Sequence, residues 1–158
     1  MIRILACGKV REKWMKEGID EYLKRIRPYE KIEIVEVADE KAPESNSPAE
    51  NEIVKNKEGE KLLKQIRDDE YVILLDLAGR PCDSVQLSQK LDSLYSRSAN
   101  RIAFVIGGSL GVSQALIKRA DMRWKLSDNT FPHQLCRIIV LEQIYRSFRI
   151  LRNEPYHK

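Results

Sequence analysis

Metal-binding and disulfide chemistry have little to work with in this chain. Its 158 residues include three cysteines and two histidines. Cys7, Cys82 and Cys136 are odd in number, far apart and never in a CxxC pair. That argues against a disulfide framework and against a zinc site. No bound metal is expected, and the thiols are expected to be buried or inert. No apolar run approaches the ~20 residues of a membrane span. The opening Met1-Ile2-Arg3-Ile4-Leu5-Ala6-Cys7 has strand character and passes directly into charged residues, without the long apolar core of a signal peptide. These absences read as a soluble, cytoplasmic protein with no membrane partner. There is also no internal repeat, no low-complexity segment and no linker, so one domain spanning 1–158 is expected.

What is present begins with charge. The net charge is +4, which is mild, but it is unevenly placed. Residues 133–158 hold Arg137, Arg146, Arg149, Arg152 and Lys158 against only Glu142 and Glu154. A basic surface at the end of the chain points first to nucleic acid as a partner. An ordinary solvated helix face would carry the same charge.

Apolar periodicity gives strands alternating with helices, five of each. Strands are expected at Met1–Cys7, Lys31–Val37, Tyr71–Leu77, Arg101–Ile106 and Met122–Leu126. Helices are expected at Glu12–Ile26, from Pro48 to Ile66, after Asp83 or Ser84, at Ser113–Arg119, and from Pro132 to about Arg152. Asp39–Ser47 reads as a polar loop and Ala78–Pro81 as a turn. The helix from Pro48 is so polar through Gly59 that this half is expected to lie on the surface or move. Tyr71–Leu77 is almost continuously apolar, as in a central parallel strand covered on both faces. The pattern calls for an α/β fold with a mostly parallel sheet flanked by helices.

The most informative stretch is Phe104-Val105-Ile106-Gly107-Gly108-Ser109-Leu110-Gly111. A strand ends in glycines at what would be the C-terminal edge of the sheet, where open α/β sheets bind ligands. Without Cβ atoms at Gly107 and Gly108, a flat ligand could touch the main chain; a tight strand-to-helix turn would use the same residues. The end of Tyr71–Leu77 and the Leu126–Phe131 loop converge on the same edge, with Leu75, Leu126 and Phe131 as apolar walls. Such a pocket suits an adenosine. A dinucleotide fingerprint needs G-x-G-x-x-G, and Ile106 occupies its first glycine position. No P-loop lysine follows. A cofactor without phosphates, held by main chain, fits better.

The last helix carries Val140, Leu141, Ile144, Tyr145, Phe148 and Leu151 on one wide face, with Leu135, Ile139 and Ile150 outside it. A helix apolar on more than one side is buried on more than one side, so a homodimer built on this helix is expected. Arg137 falls within the apolar face and needs a partner, a carboxylate or carbonyl of the other subunit. His133 sits at the positive helix end, which disfavours its charged form, and is expected to bond neighbouring backbone. Terminal tails usually fray, yet Tyr156 could stack on a base and Lys158 meet a phosphate.

From end to end the sequence resembles the RlmH (YbeA) family of SPOUT-class methyltransferases. The resemblance rests on the N-terminal strand into Gly8-Lys9, on Asp39-Glu40-Lys41, on Leu75-Asp76-Leu77-Ala78-Gly79 and on Phe104-Val105-Ile106-Gly107-Gly108-Ser109. It continues through Ser127, Thr130-Phe131-Pro132-His133-Gln134, Arg137, Glu142-Gln143, Tyr145-Arg146 and the closing Tyr156-His157-Lys158. It implies S-adenosylmethionine as methyl donor and N3 of a pseudouridine in large-subunit ribosomal RNA, in the assembled ribosome, as acceptor. It implies a homodimer and a C-terminal trefoil knot. It also implies that Leu75, Gly107, Leu126, Ser127, Asp128, Asn129, Thr130 and Phe131 contact the donor. On this view Arg152, Tyr156 and His157 reach the acceptor across the dimer interface, with Arg152 stabilising an anionic oxygen and His157 taking the proton. Arg146 and Arg149 would grip phosphates. Two other readings stay open: a ribosome-binding factor without catalysis, and a nucleotide-dependent oxidoreductase.

Overall fold

The computed structural model describes residues 1–45 and 47–158. Asn46, inside the expected polar loop, lies outside the described residues. The elements run β1 (Ile2–Cys7), α1 (Lys13–Ile26), β2 (Ile32–Val37), α2 (Pro48–Gln65), β3 (Tyr71–Pro81), α3 (Ser84–Ser96), β4 (Ile102–Ile106), α4 (Gln114–Arg119), β5 (Met122–Lys125) and α5 (His133–Leu151). The strands form one sheet in the order β2-β1-β4-β3-β5. Every neighbouring pair is parallel, so the single-domain α/β architecture expected from the alternation is present.

The two-residue period of the inner strands sorts side chains into two cores. Ile2, Ile4 and Ala6 of β1 join Ile102, Phe104 and Ile106 of β4 beneath α1, α3 and α5. Leu5, Cys7, Ala103 and Val105 point the other way, to Leu62 of α2 and Leu116 of α4. Burial on both faces is why these strands read as unbroken apolar runs. α5 seals the first core with Val140, Leu141, Ile144 and Phe148. Asp83 opens α3 with a full capping box: its carboxylate accepts from Gln86 N–H at 2.8 Å, and the Gln86 side chain accepts from Asp83 N–H at 2.9 Å.

Two local expectations need correction. Tyr71–Leu77 is interior but not central, since β4 holds the middle. Nor does the strand end at Leu77. It continues to Pro81, and its pairing with β5 breaks so that Leu75 and Arg80 both oppose Trp124. The chain bulges out between them. Asp76 fixes the bulge, because its carboxylate accepts from Ala78 N–H at 2.9 Å and from Arg123 Nε at 2.7 Å. The polar half of α2 is not wholly a surface segment either. Its early turns are exposed, but Glu58 and Gly59 are buried. Gly59 lies against the Ser113 side chain, where any larger residue would hold the two helices apart.

Candidate active site

The C-terminal edge of the sheet opens into a cavity of about 580 Å³. Its walls come from the bulged middle of β3 and from the segments that follow β4 and β5. Leu75, Asp76 and Leu77 form one side, Gly107 to Val112 another, and the loop after β5 with the first turn of α5 the third. Leu75, Gly107, Leu126, Ser127, Asn129, Thr130 and Phe131 all line this one space. Asp128 does not. Its carboxylate is exposed and paired with Lys125, so the side chain closes the loop from outside.

The glycine turn is built by protein packing. A Cβ at Gly107 would lie 2.9 Å from the Gly111 carbonyl oxygen, and one at Gly108 would lie 2.7 Å from Glu58 Oε1. Gly111 N–H donates to the Gly108 carbonyl at 3.1 Å, and Gly111 itself has φ +102°, where side chains are strained. The missing Cβ atoms therefore make room for neighbouring protein groups rather than for a ligand. What the turn gives the cavity is main chain.

The electrostatics are unusual for a nucleotide site. Neither lysine nor arginine lines the cavity. Asp76 lines it, but Arg123 holds its carboxylate. His133 lines it too, and burial first, then the Arg137 guanidinium, lower its basicity. Both favour the neutral ring, in the same direction as the helix end invoked from sequence. Its Nε2 faces Gly8 and Asp39, and it makes no bond to neighbouring backbone among the described residues. Such a lining disfavours a pyrophosphate and accommodates a ligand that is apolar in part and positively charged elsewhere.

Beneath this wall Arg137 is 1% exposed. It donates to Glu36 at 2.5 Å and to the carbonyls of Cys7 and Gly8 at 2.9 and 2.7 Å. The partner expected from another subunit is thus supplied by the same chain, at the end of β1. Cys7 in turn donates its S–H to Glu58 at 3.1 Å. Burial and that carboxylate push the thiol up to about 12, so it stays protonated and inert.

Arg152, Tyr156 and His157 lie at the other end of α5. A helix of 19 residues separates the two ends by about 28 Å. The tail is folded back on the helix. Tyr156 packs edge-on against Tyr145 at 4.9 Å, and Arg152 lies 5.2 Å over the Tyr29 ring. Arg146 donates to Glu142 at 2.6 Å and to His157 Nδ1 at 3.1 Å. Arg149 donates to Glu154 at 2.5 Å. Both arginines expected to grip phosphates are engaged inside the chain. A guanidinium has no acceptor, so His157 spends its Nδ1 lone pair on Arg146, which leaves Nε2 to carry the proton in the neutral ring.

A family model described as "Predicted SPOUT methyltransferase" matches residues 1–157. The chain belongs to the SPOUT methyltransferase family. Within it, the chain is 55% identical over 157 residues, covering 99% of both sequences, to a "Ribosomal RNA large subunit methyltransferase H" of Alkaliphilus oremlandii. A protein of the same name from Lysinibacillus sphaericus is 52% identical over 157 residues, again across 99% of each. The RlmH relationship read from the sequence is therefore confirmed. Among solved structures, a probable methylase family protein from Haemophilus influenzae superposes with a TM-score of 0.55 at 15% identity, over 96% of this chain and 66% of that one. This likeness shows the SPOUT fold alone. As a member of a methyltransferase family, the protein uses a methyl donor.

Sequence reading missed four residues of this region. Asp76 was hidden inside an apolar strand. Trp124 reads as an ordinary strand residue, yet it lines the cavity while its indole N–H donates to the Cys82 carbonyl at 3.3 Å. Cys136 lines the cavity one turn into α5. Glu58 looks like one more charge on a polar helix; a charged residue one position before a glycine was the available signal.

Proposed function

We propose that the protein methylates N3 of a pseudouridine in large-subunit ribosomal RNA, in the assembled ribosome, with S-adenosylmethionine as donor. The observation that carries this reading is the cavity: main chain and apolar walls at the β3 bulge and past the ends of β4 and β5, with no lysine or arginine in the lining. The curated relatives carry the matching name across their whole length. The residues fit the donor. Leu75, Leu126 and Phe131 offer apolar faces to an adenine, the two loops offer peptide groups to its edges, and the lining has no positive charge to oppose a sulfonium. When bound, S-adenosylmethionine supplies an electrophilic methyl group on that sulfonium.

The chain's own residues have two further tasks. The acceptor N3–H is a weak acid, so its proton must leave, and the resulting anion needs a counter-charge. Arg152 and His157 have the chemistry for both, but one chain keeps them at the far end of α5 from the cavity. A homodimer in which each tail reaches the other subunit's cavity brings them together. His157 must then release Arg146 before Nδ1 can accept a proton. A knotted C-terminal segment and a cytoplasmic location belong to the same reading.

Incubating the purified protein with labelled S-adenosylmethionine and ribosomes from cells lacking this chain tests it. Mass mapping is expected to place one new methyl group on a large-subunit pseudouridine. Donor binding with no methyl transfer to ribosomes or to free ribosomal RNA would leave the reading without support.

A further inference from the structure

A second concavity adjoins the donor cavity along β3, where successive residues of the bulge line first one and then the other. Asp76 and Leu77 line the donor side, and Gly79, Arg80 and Pro81 line the other. β5 is split in the same way, with Trp124 facing the donor cavity and Arg123 the second groove. The groove has a volume of about 660 Å³.

Its charge is not balanced. Arg80, Lys90 and Arg123 line it, with Asp121 as the one carboxylate in the lining. Asp121 is already committed: it accepts from Val72 N–H at 2.8 Å and pairs with Arg119 at 3.3 Å. Arg123 is committed to Asp76. That leaves Arg80 and Lys90. The Arg80 side chain is exposed and makes no hydrogen bond or ion pair among the described residues. The Lys90 ammonium lies 5.0 Å over the Tyr71 ring and has no carboxylate partner among them. Two uncompensated cations face one groove beside the place where a nucleobase must enter.

We infer that this groove holds the sugar-phosphate backbone of the RNA next to the target nucleotide, with Arg80 and Lys90 as phosphate contacts. The inference rests on the methyltransferase reading above. A base presented to the donor cavity leaves its flanking phosphates a strand's width away, and the groove is the adjoining surface with free positive charge. Asp76 joins the two sites, because the carboxylate that shapes the donor wall also anchors Arg123 in the groove.

The double variant Arg80→Gln, Lys90→Gln tests it against Lys13→Gln, Lys16→Gln, which removes the same charge from exposed positions on α1. Binding to protein-free large-subunit ribosomal RNA and methylation of ribosomes are measured across a salt series. Each lost phosphate contact lowers the slope of log affinity on log salt by about 0.7–0.9. The groove variant is expected to lose about 1.4–1.8 from that slope and to raise KM for ribosomes roughly three- to tenfold. Its kcat and S-adenosylmethionine affinity stay near wild type, and the α1 variant keeps the full slope. A groove variant with wild-type slope and KM overturns the inference. So does a raised KM on ribosomes with unchanged binding to free RNA, which would assign the groove to an acidic protein surface. A wild-type protein that transfers no methyl group overturns the functional reading instead.

Discussion

Tyr156 donates its hydroxyl hydrogen to Glu142 at 3.1 Å, fourteen residues back along the chain. Arg146 shares that carboxylate and lies 4.7 Å over the Tyr156 ring. Burial and the Glu142 charge push the phenol up to about 12, so it remains a donor near neutral pH. Residues 153–157 are thus docked on the helix.

Releasing that segment has a measurable consequence. Tyr156→Phe loses one hydrogen bond, about 0.5–1.5 kcal/mol. Tyr156→Ala also loses the edge-on contact with Tyr145 and the cation–π contact from Arg146. Trypsin is expected to cut after Arg152 faster in Tyr156→Ala than in wild type, with Tyr156→Phe between them. Equal cleavage rates in all three proteins would show that the tail is not held by this residue.

In the proposed homodimer the two halves of the site come from different subunits, so damaged subunits should rescue one another. Leu126→Arg places a cation in the donor cavity, and His157→Ala removes the proposed proton acceptor. Each homodimer is expected to be inactive. Exchanging the two at equal amounts makes mixed dimers with one intact site each, or about a quarter of the wild-type activity per site. No recovery after verified exchange would place the tail and cavity of a working site in one chain.

Much of the fold was legible because it rests on local period. β1 and β4 are short, continuous and apolar, and Gly107 marks where β4 stops. The cavity residues were legible because Gly107 and residues 126–131 lie just past a strand end, and Leu75 lies where an apolar run gives out at Asp76. Arg137 was half-read: its need for a partner follows from its position among apolar residues, but the carbonyls of Cys7 and Gly8 come close only through folding. The bulge at Asp76–Gly79 escaped because Gly79 and Pro81 signal a turn equally well, and only pairing with Trp124 shows a strand resuming. Asp128 was carried with its loop neighbours, although a loop turns successive side chains in different directions.

Packing around the glycine turn gives a coupled pair of substitutions. Gly107→Ala sets a Cβ against main chain, the Gly111 carbonyl, and is expected to cost about 1–3 kcal/mol. Gly108→Ala instead meets the Glu58 carboxylate, which is pinned by Cys7 and by Glu40 N–H at 3.1 Å. Removing that obstacle in Gly108→Ala, Glu58→Ala should recover part of the loss, measured as non-additivity in urea unfolding. Strict additivity would mean that the two residues do not oppose each other.

Cys7 makes stability fall with alkaline pH. Its folded-state pKa is about 12, raised by burial and by Glu58, whereas an exposed thiol ionises near pH ~8.5. Below that value both states carry the proton and stability is unaffected. Above it only the unfolded chain loses the proton, so stability falls with rising pH, by about 1.4 kcal/mol per pH unit, until the folded thiol also ionises. Cys7→Ser keeps a donor for Glu58 but does not titrate in this range. Burial also raises Cys82 and Cys136, which add the same slope to both proteins, and tyrosines add theirs from about pH 10, so the difference between wild type and Cys7→Ser from about pH 9 to 10 isolates Cys7. Between those values the urea midpoint of wild type should fall more steeply than that of Cys7→Ser, even if the serine protein is less stable throughout. Parallel slopes would show that Cys7 ionises as readily in the folded protein as in the unfolded chain.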